Sequence, residues 1–259
     1  MNVTLLAHTQ LATDFYENLS HMENGLPLNV SVTDGQAVAL TAIRTCYSAN
    51  KPSEIVTKEG KRYFGKKASD GEGGTEADRL IRQIVASKHV STLEHLSFTF
   101  AIEGVSRALL AQLIRHRVGF SFSVQSQRYV RLGSDDKSGG FDYVMPGKIA
   151  ENDSKTNMYV GYDVEYFDNT GELFKYAMNT VQDVYDKLRE AGVPAEDARA
   201  VLPNATATNL VMTANLRSLL DFYAKRKPGN GAQKEISDLA ETLKNAVIEV
   251  EPWAEAFFK

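Results

Sequence analysis

Four arginines lie within seventeen residues of this chain, and the cluster limits the folds open to it: Arg115, Arg117, Arg128 and Arg131. A guanidinium group stays charged in proteins, and burying an unpaired charge is costly. The segment must therefore reach solvent, a carboxylate or a bound anion. The chain as a whole is acidic, with a formal net charge of −4. Charge alone leaves two interpretations open: solvated cations that complement a helix C-terminus, or an anion-binding site.

The rest of the composition is that of an ordinary globular protein, with 43% hydrophobic and 24% charged residues in 259. A negative net charge counts against a general nucleic-acid binder, which normally carries a basic surplus. The only cysteine, Cys46, excludes an intrachain disulfide and a cysteine-built metal site, and no metal site is expected. We find no basic leader and no window of the ~18 apolar residues that span a bilayer. These features predict a cytoplasmic protein without nucleic-acid or membrane partners.

Hydrophobic periodicity predicts an α+β fold dominated by helices, with residues 1–259 forming a single domain. Residues 49–75 contain five glycines and five lysines and predict a solvated excursion, and residues 132–155 predict a long surface loop. The predicted strands are Val3–Ala7, Leu96–Ile102 and Phe120–Val124. The predicted helices are Ala37–Arg44, Glu76–Lys88, Ser106–Val118, Gly171–Ala191, a short helix after Pro194, Thr206–Lys227 and Ala232–Phe258.

Capping signals predict where three of these elements begin or end. Ser91 and Glu94 have the spacing of a capping box, which predicts a turn of helix there. Thr170 is expected to cap the helix that Gly192 ends, and Gly119 is expected to stop the helix that carries the arginines.

The predicted helix Ser106–Val118 would place Gln112 and Arg115 on one face and Arg117 on the opposite side. An arginine fork and an amide on one face can bind a phosphate or a pyrimidine edge. The extended run that follows could return Ser126 and Arg128 to the same neighbourhood, both on one strand face. This arrangement predicts a site for an anionic nucleotide.

The same residues carry a family motif. Arg115-His116-Arg117 is followed by eight residues and then by Ser126-Gln127-Arg128-Tyr129, which resembles the signature of the flavin-dependent thymidylate synthases. Further segments resemble the family in the same order along the chain: Thr41–Ser48, His89–Phe100, Ala198–Pro203, Asn215–Leu219, Arg226, Ala232-Gln233 and Pro252-Trp253.

The resemblance implies a helix-rich single domain with a small antiparallel sheet, assembled as a homotetramer whose active sites draw on more than one subunit. It implies that dUMP is methylated to dTMP with FAD as cofactor and with methylenetetrahydrofolate and NADPH as co-substrates. The implied dUMP-binding residues are Gln112, Arg115, Ser126, Gln127, Arg128, Arg199 and Arg226, of which Arg115, Ser126 and Arg226 are implied to be catalytic. The implied FAD-binding residues are Cys46, His89, Ser91, Glu94, Arg117, Val118, Asn215, Arg217, Asp221 and Lys225.

Several of these residues also have simpler interpretations. Arg217 and Asp221 could form an ion pair on one helix face, continued to Lys225. His116 is expected to be a packed or orienting residue rather than a general base. Cys46 is expected to be a small side chain rather than a nucleophile, and Ser126 has no activating base in sequence.

The chain departs from the family pattern at three places. Asp221 stands where Asn or His is expected, and Lys225 stands where an apolar residue is expected. The stretch from Lys227 to Gly231 is one residue longer than usual and lacks an expected histidine. The long spacing from Arg117 to Ser126 leaves open whether Val124 or Gln125 fills the polar position before the serine. A different class of function, a non-catalytic nucleotide- or RNA-binding module built on the arginine cluster, also stays open.

Overall fold

The computed structural model describes residues 1–20 and 32–259. Among these residues no helix is long and apolar enough to cross a membrane. The strands are β1 (Asn2–His8), β2 (Ser97–Ser106), β3 (Phe120–Val124), β4 (Thr156–Val160), β5 (Asp163–Phe167) and β6 (Ala207–Asn215). The α-helices are α1 (Thr13–Ser20), α2 (Asp34–Thr45), α3 (Ile55–Phe64), α4 (Glu76–Ala86), α5 (Arg107–Leu113), α6 (Gly147–Ala150), α7 (Thr170–Glu190), α8 (Ala195–Ala198), α9 (Leu216–Arg226) and α10 (Lys234–Val250). Short 3₁₀ helices are Pro52–Glu54, Val90–His95, Arg199–Val201 and Pro252–Phe257.

Four strands form one sheet in the order β1-β2-β6-β3. In each pair of neighbouring strands, the start of one strand is hydrogen-bonded to the end of the other. Neighbouring strands therefore run antiparallel. The bonded residues are Asn2–Glu103 and Thr9–Ser97 for β1 and β2, Gly104–Asn209 and Thr99–Thr213 for β2 and β6, and Gln125–Asn209 and Gly119–Asn215 for β3 and β6. The predicted class, helix-rich α+β with small antiparallel sheets, is confirmed.

The chain divides into two compact units. The first unit comprises Met1–Asn2, Ile102–Arg115 and Phe122–Val211, and the second comprises Val3–Ala101, His116–Ser121 and Met212–Lys259. The single domain over residues 1–259 stays a prediction.

The second unit has a helical core. Helix α2 packs on α3, α4 and the 3₁₀ helix Val90–His95, while α9 packs on that 3₁₀ helix and on α10. Helix α4 shows why: Ala77, Leu80, Ile81 and Ile84 recur at three- and four-residue spacing and are buried, which forms one apolar stripe. A capping box between Thr75 and Asp78 begins this helix.

The first unit contains α7, the longest helix among the described residues. Its polar face holds the loop that starts at Leu132: Gln182 Nε2 donates to the Leu132 carbonyl at 3.0 Å, and Asp186 accepts from Ser134 N at 3.1 Å. The predicted surface loop over residues 132–155 is therefore anchored at its start. It also contains the short helix α6.

A two-stranded antiparallel hairpin, β4 and β5, follows this loop and was missed in the sequence. Asn157 pairs with Tyr166 and Tyr159 pairs with Val164. Both tyrosines are more than three-quarters exposed, so the hairpin lacks the buried face that makes a strand recognisable from its sequence.

The prediction of a solvated excursion over residues 49–75 is wrong in its first half. Residues Ile55–Phe64 form helix α3, in which Ile55, Val56, Tyr63 and Phe64 are buried. Lys58 and Lys61 lie on the exposed side of α3, and four of the five glycines lie in the loop after it, so the polar composition of the segment obscured its four apolar anchors.

The prediction of one helix over Thr206–Lys227 is also wrong. Its first part is strand β6, in which Thr208, Leu210, Met212 and Ala214 are buried and alternate with more exposed neighbours. Apolar residues occur there at spacings that suit both the helical period of about 3.6 residues and the strand period of two. Pairing with β2 and β3 stabilises the strand.

The helix predicted over Ser106–Val118 ends at Leu113, so Arg115 and Gln112 do not share a helix face. Strand β3 ends at Val124, and Tyr129 N and Val130 N both donate to the Ser126 carbonyl in a turn. Ser126 and Arg128 therefore do not lie on one strand face.

Three predicted helix boundaries are also wrong, and the first is Gly119, since α5 ends at Leu113 with Ile114 as its C-cap. Ser91 and Glu94 make no capping box, because the segment is a 3₁₀ helix and the Glu94 carboxylate bonds Arg217 instead. Helix α7 is capped by Asn169, whose Oδ1 accepts from Glu172 N at 2.9 Å, rather than by Thr170.

Candidate active site

The end of the Arg-His-Arg motif is a turn locked onto the start of α9. Gly119 has φ 73°, and its carbonyl accepts from Asn215 N at 3.2 Å. Ser218 Oγ donates to the Val118 carbonyl at 2.9 Å, and Asn215 Oδ1 accepts from Ser218 N at 2.9 Å as the helix N-cap. The turn holds the Val118 side chain 88% exposed. Two predicted FAD-binding residues, Val118 and Asn215, are thus brought together.

His116 of the motif is packed, as predicted. Its ring meets Phe222 edge-on at 5.0 Å between centroids and lies 6.0 Å from the ring of Phe120. Arg226 Nε donates to His116 Nε2 at 3.4 Å, which requires an unprotonated Nε2. The Arg226 carbonyl accepts from Ser237 Oγ at 2.7 Å. His116 therefore orients Arg226, one of the predicted dUMP-binding residues.

Glu94 and Arg217, both predicted to bind FAD, form an ion pair. Both side chains are a little over two-fifths exposed. The alternative interpretation, an ion pair of Arg217 with Asp221 continued to Lys225 on α9, is wrong, because the Arg217 guanidinium bonds Glu94 instead. Within the described part of the chain Asp221 and Lys225 make no ion pair, and both are exposed.

Cys46 and His89 belong to two neighbouring segments of the second unit. Cys46 caps the C-terminus of α2 and is exposed, and no base activates its thiol in the described part of the chain. The hydroxyl of Tyr47 lies 3.1 Å from His89 Nδ1. The sequence analysis did not include Tyr47 among the site residues. Ser91 is exposed, two residues after His89.

Arg107, in the first unit, was not among the predicted site residues. Burial lowers the pKa of the half-buried Arg107 guanidinium, and the positive charge of Arg199 lowers it further. A bound anion would offset the repulsion between these two guanidinium groups. A sequence signal existed: Arg107 is the first residue of α5, where a cation opposes the helix dipole and does not favour the helix.

Arg128 and Arg199 are linked through Glu196. Arg128 Nε bonds Glu196 Oε2 at 2.9 Å, and Arg199 Nε donates to the Glu196 carbonyl at 2.9 Å. Ser126 Oγ accepts from Arg128 N at 3.3 Å, and no imidazole or carboxylate in the described residues bonds this hydroxyl. Three predicted dUMP-binding residues therefore belong to one polar cluster, with half-buried Gln127 in the same turn.

Asn209 engages one of the two candidates for the polar position before Ser126. Its Nδ2 donates to Gln125 Oε1 at 3.2 Å, so the Gln125 side chain is engaged along the sheet, while Val124 is half-buried. Gln112 Nε2 donates to the Ala108 carbonyl at 3.3 Å.

Arg115 and Arg117 are both exposed, and neither forms an ion pair with any residue that the structure describes. Of the predicted dUMP-binding residues, Arg226 alone belongs to the second unit. All the predicted FAD-binding residues belong to the second unit.

The donors fit the two groups that the motif implies. Arg107 and Arg199 supply half-buried positive charge, which suits a phosphate. Arg117, Arg217 and the exposed apolar Val118 supply cationic and apolar surface of the kind that a flavin nucleotide needs.

Comparison with known proteins supports the same assignment. The model of the thymidylate synthase complementing protein family matches residues 29–253. The flavin-dependent thymidylate synthase of Geobacter sulfurreducens is 37% identical over 219 residues, which cover 85% of this chain and 80% of that protein. The enzyme of the same name from Nitratidesulfovibrio vulgaris is 40% identical over 212 residues, 82% of this chain and 77% of that one.

Solved structures share the fold. A UMP/dUMP methylase from Streptomyces cacaoi, bound with 5-Br dUMP, superposes with a TM-score of 0.65 at 22% identity, over 99% of this chain and 94% of that one. The flavin-dependent thymidylate synthase of Helicobacter pylori, complexed with FAD and dUMP, gives a TM-score of 0.59 at 24% identity over the whole of both chains. Motif, family model and relatives agree, and the chain belongs to the flavin-dependent thymidylate synthase family.

Proposed function

We propose that this enzyme carries out the reductive methylation of dUMP to dTMP. Beside family membership, the observation that carries the proposal is the half-buried pair of Arg107 and Arg199. Burial and the positive charge of Arg199 lower the pKa of Arg107, and a dianionic phosphate that bound there would offset the repulsion between the two guanidinium groups.

The phosphate of dUMP is assigned to the arginine cluster of the first unit, and Arg226 is kept as a dUMP-binding residue because the family motif implies it. Arg107, Arg128 and Arg199 would hold the phosphate with the hydroxyl of Ser126, since the Arg128–Glu196 pair is half-exposed and exchanges at little cost. Arg115 and Arg226 would stabilise negative charge that develops on the pyrimidine, with Arg226 aimed by His116. Gln112 and Gln127 would read the uracil edge. Ser126 binds rather than attacks, because no base bonds its hydroxyl in the described residues.

FAD is assigned to the second unit. When bound and reduced it supplies the reducing equivalents of the methylation. Arg217, fixed by Glu94, and Arg117 would pair with its phosphates, and Val118 and Asn215 would contact it from the Gly119 turn. His89 and Cys46 would contact it from the segments after α4 and α2, and Ser91, Asp221 and Lys225 complete the proposed set.

The finer features of the assembly are part of the same proposal. Methylenetetrahydrofolate would supply the carbon and NADPH the electrons, and the chain would act as a homotetramer in the cytoplasm, its active sites completed by neighbouring subunits. These features come from the family and not from particular contacts of this chain.

The dUMP site is tested by titrating dUMP into Arg107→Gln, Arg199→Gln and a control. Lys175→Gln removes the same charge from an exposed position on α7 in the same unit. A charge-assisted hydrogen bond contributes roughly 1.5–3 kcal/mol, so each arginine variant should bind dUMP about ten- to a hundredfold more weakly. Equal affinity in all three variants would remove the phosphate from this cluster.

The visible spectrum of the purified protein tests the enzyme class. The flavin-dependent methylase should be yellow and should produce dTMP from dUMP only when folate and a reductant are both added. A colourless protein that gains no flavin absorbance on addition of FAD, yet binds nucleotides, would favour the non-catalytic binding module.

A further inference from the structure

Tyr47 and His89 form a pair, and no role was predicted for Tyr47 from the sequence. Tyr47 Oη lies 3.1 Å from His89 Nδ1, and the two rings meet edge-on, with centroids 6.1 Å apart and planes at 83°. A phenol hydroxyl is a good donor, and a neutral imidazole has one nitrogen that accepts. The contact therefore selects between the two tautomers of the histidine.

The backbone of His89 is fixed independently of this contact. Lys88 has φ 62°, a left-handed conformation that is unfavourable for a residue with a Cβ. It closes helix α4, because His89 N donates to the Ile84 carbonyl at 3.1 Å. Thr92 Oγ1 donates to the His89 carbonyl at 3.3 Å. The remaining freedom of His89 is the rotation and protonation of its ring, which is what Tyr47 constrains.

Tyr47 is anchored in turn by the buried side of α3. Arg44 Nη2 donates to the Tyr47 carbonyl at 3.4 Å, and Tyr47 N donates to the Arg44 carbonyl at 2.9 Å. Arg44 Nε bonds Glu59 Oε2 at 2.6 Å, and the two side chains are only 17% and 11% exposed.

Glu59 also forms hydrogen bonds with two other residues of the loop that carries Tyr47. It accepts hydrogen bonds from Ser48 Oγ and, at 2.9 Å, from Asn50 Nδ2. Burial alone would raise the pKa of Glu59, but the hydrogen bonds from Ser48, Asn50 and Arg44 hold it below its usual value. The carboxylate is thus a charged anchor for the loop that carries Tyr47.

We propose that Tyr47 is a positioning residue that donates its hydroxyl hydrogen to His89 Nδ1 and so keeps the imidazole proton on Nε2, where it would be available to a bound flavin. This inference rests on the proposed function only in placing the flavin beside His89. A neutral imidazole with a fixed Nε2–H is a directed donor, whereas a ring that exchanges tautomers offers that donor for part of the time. Tyr47 is 58% exposed, so a purely structural role would be worth little burial.

The tautomer is tested by nitrogen NMR of histidine side chains in the full chain without ligands, with His89→Gln to identify the signals. We expect His89 to be protonated at Nε2 in the wild type and to average between tautomers in Tyr47→Phe. Tyr166→Phe, which makes the same substitution at an exposed tyrosine of the β4–β5 hairpin, is the matched control and should leave the signals unchanged. An Nε2–H tautomer that persists in Tyr47→Phe would overturn the proposal.

Flavin titration separates this inference from the proposed function. The loss of one orienting hydrogen bond, about 1 kcal/mol, should weaken FAD binding by Tyr47→Phe about three- to tenfold. Glu59→Gln should shift the tautomer balance in the same direction by loosening the loop. If His89→Gln binds FAD as the wild type does, the placement of flavin beside His89 fails, while the NMR result still decides the role of Tyr47.

Discussion

Replacing Gly119 by alanine should disrupt the junction between the Arg-His-Arg motif and α9. Gly119 has φ 73°, and a Cβ there would lie 2.1 Å from Ser218 Oγ and 2.5 Å from Asn215 Nδ2. Those two side chains hold the Val118 carbonyl and cap α9, so they cannot move without losing their bonds.

The magnitude combines three costs. A left-handed residue with a Cβ costs roughly 1–2 kcal/mol, a lost N-cap costs about 0.5–2 kcal/mol and a lost hydrogen bond costs about 1 kcal/mol. Partial relaxation reduces the sum, so Gly119→Ala should lower the free energy of unfolding by about 2–4 kcal/mol.

Urea unfolding at one fixed protein concentration measures this loss, because any association contributes to stability. Gly192→Ala is the matched control: Gly192 has φ 84° and nothing lies within 4 Å of the added Cβ. It should lose only the conformational 1–2 kcal/mol. The reasoning is refuted if the two variants lose the same stability. Gly119→Ala should also weaken FAD binding, since Val118 and Asn215 are displaced together.

Three further changes test other contacts. Glu251 is buried and hydrogen-bonded to Thr33, Gly35 and Trp253, and burial raises its pKa above the ordinary 4.5. The stability that Glu251 contributes is therefore complete below pH 4.5 and is lost as the pH rises through the pKa of Glu251 in the folded protein. Glu251→Gln should flatten that part of the stability–pH curve, and an unchanged slope would contradict the assignment. Lys88→Gly should raise the urea midpoint, by about 1 kcal/mol in stability, because glycine accepts φ 62° freely, and a lowered midpoint would argue against strain there. Glu94→Gln should weaken FAD binding about two- to fivefold, the value of a half-exposed pair, and more than Asp221→Asn does; the reverse order would return Arg217 to Asp221.

The sequence predicted the elements whose pattern and partners are local. Helix α4 has one apolar stripe, and β2 alternates from Phe98 to Ile102, so both appeared close to their observed bounds. Helix α10 and its break at Pro252 were also predicted, because proline cannot continue a helix there.

The wrong predictions concern residues whose structure or contacts depend on partners far away in the sequence. The apolar residues of strand β6 are spaced in a way that suits either a helix or a strand. Its pairing with β2 and β3 makes it a strand. Arg217 was assigned to Asp221 by helix spacing, but the partner that bonds it, Glu94, lies 123 residues away. Helix spacing cannot reveal such a partner.

The candidate site shows the same division. The motif indicated Arg128, Ser126 and Arg199, and the structure brings these into one cluster through Glu196. Arg107 was missed because its neighbour in space, Arg199, is 92 positions away in the chain, although its unfavourable place at the start of α5 was visible in the sequence.

Cys46 gives this protein an unusual practical property. It is the only thiol in 259 residues, it is exposed, and it directly precedes Tyr47. A thiol-specific fluorophore would attach at this one position without the removal of any other cysteine. The label would be next to Tyr47 in the sequence, the residue that we pair with His89. The same isolation means that oxidation can join two chains at Cys46 but can never close a loop within one, so storage under a reductant keeps the label site and the oligomeric state defined together.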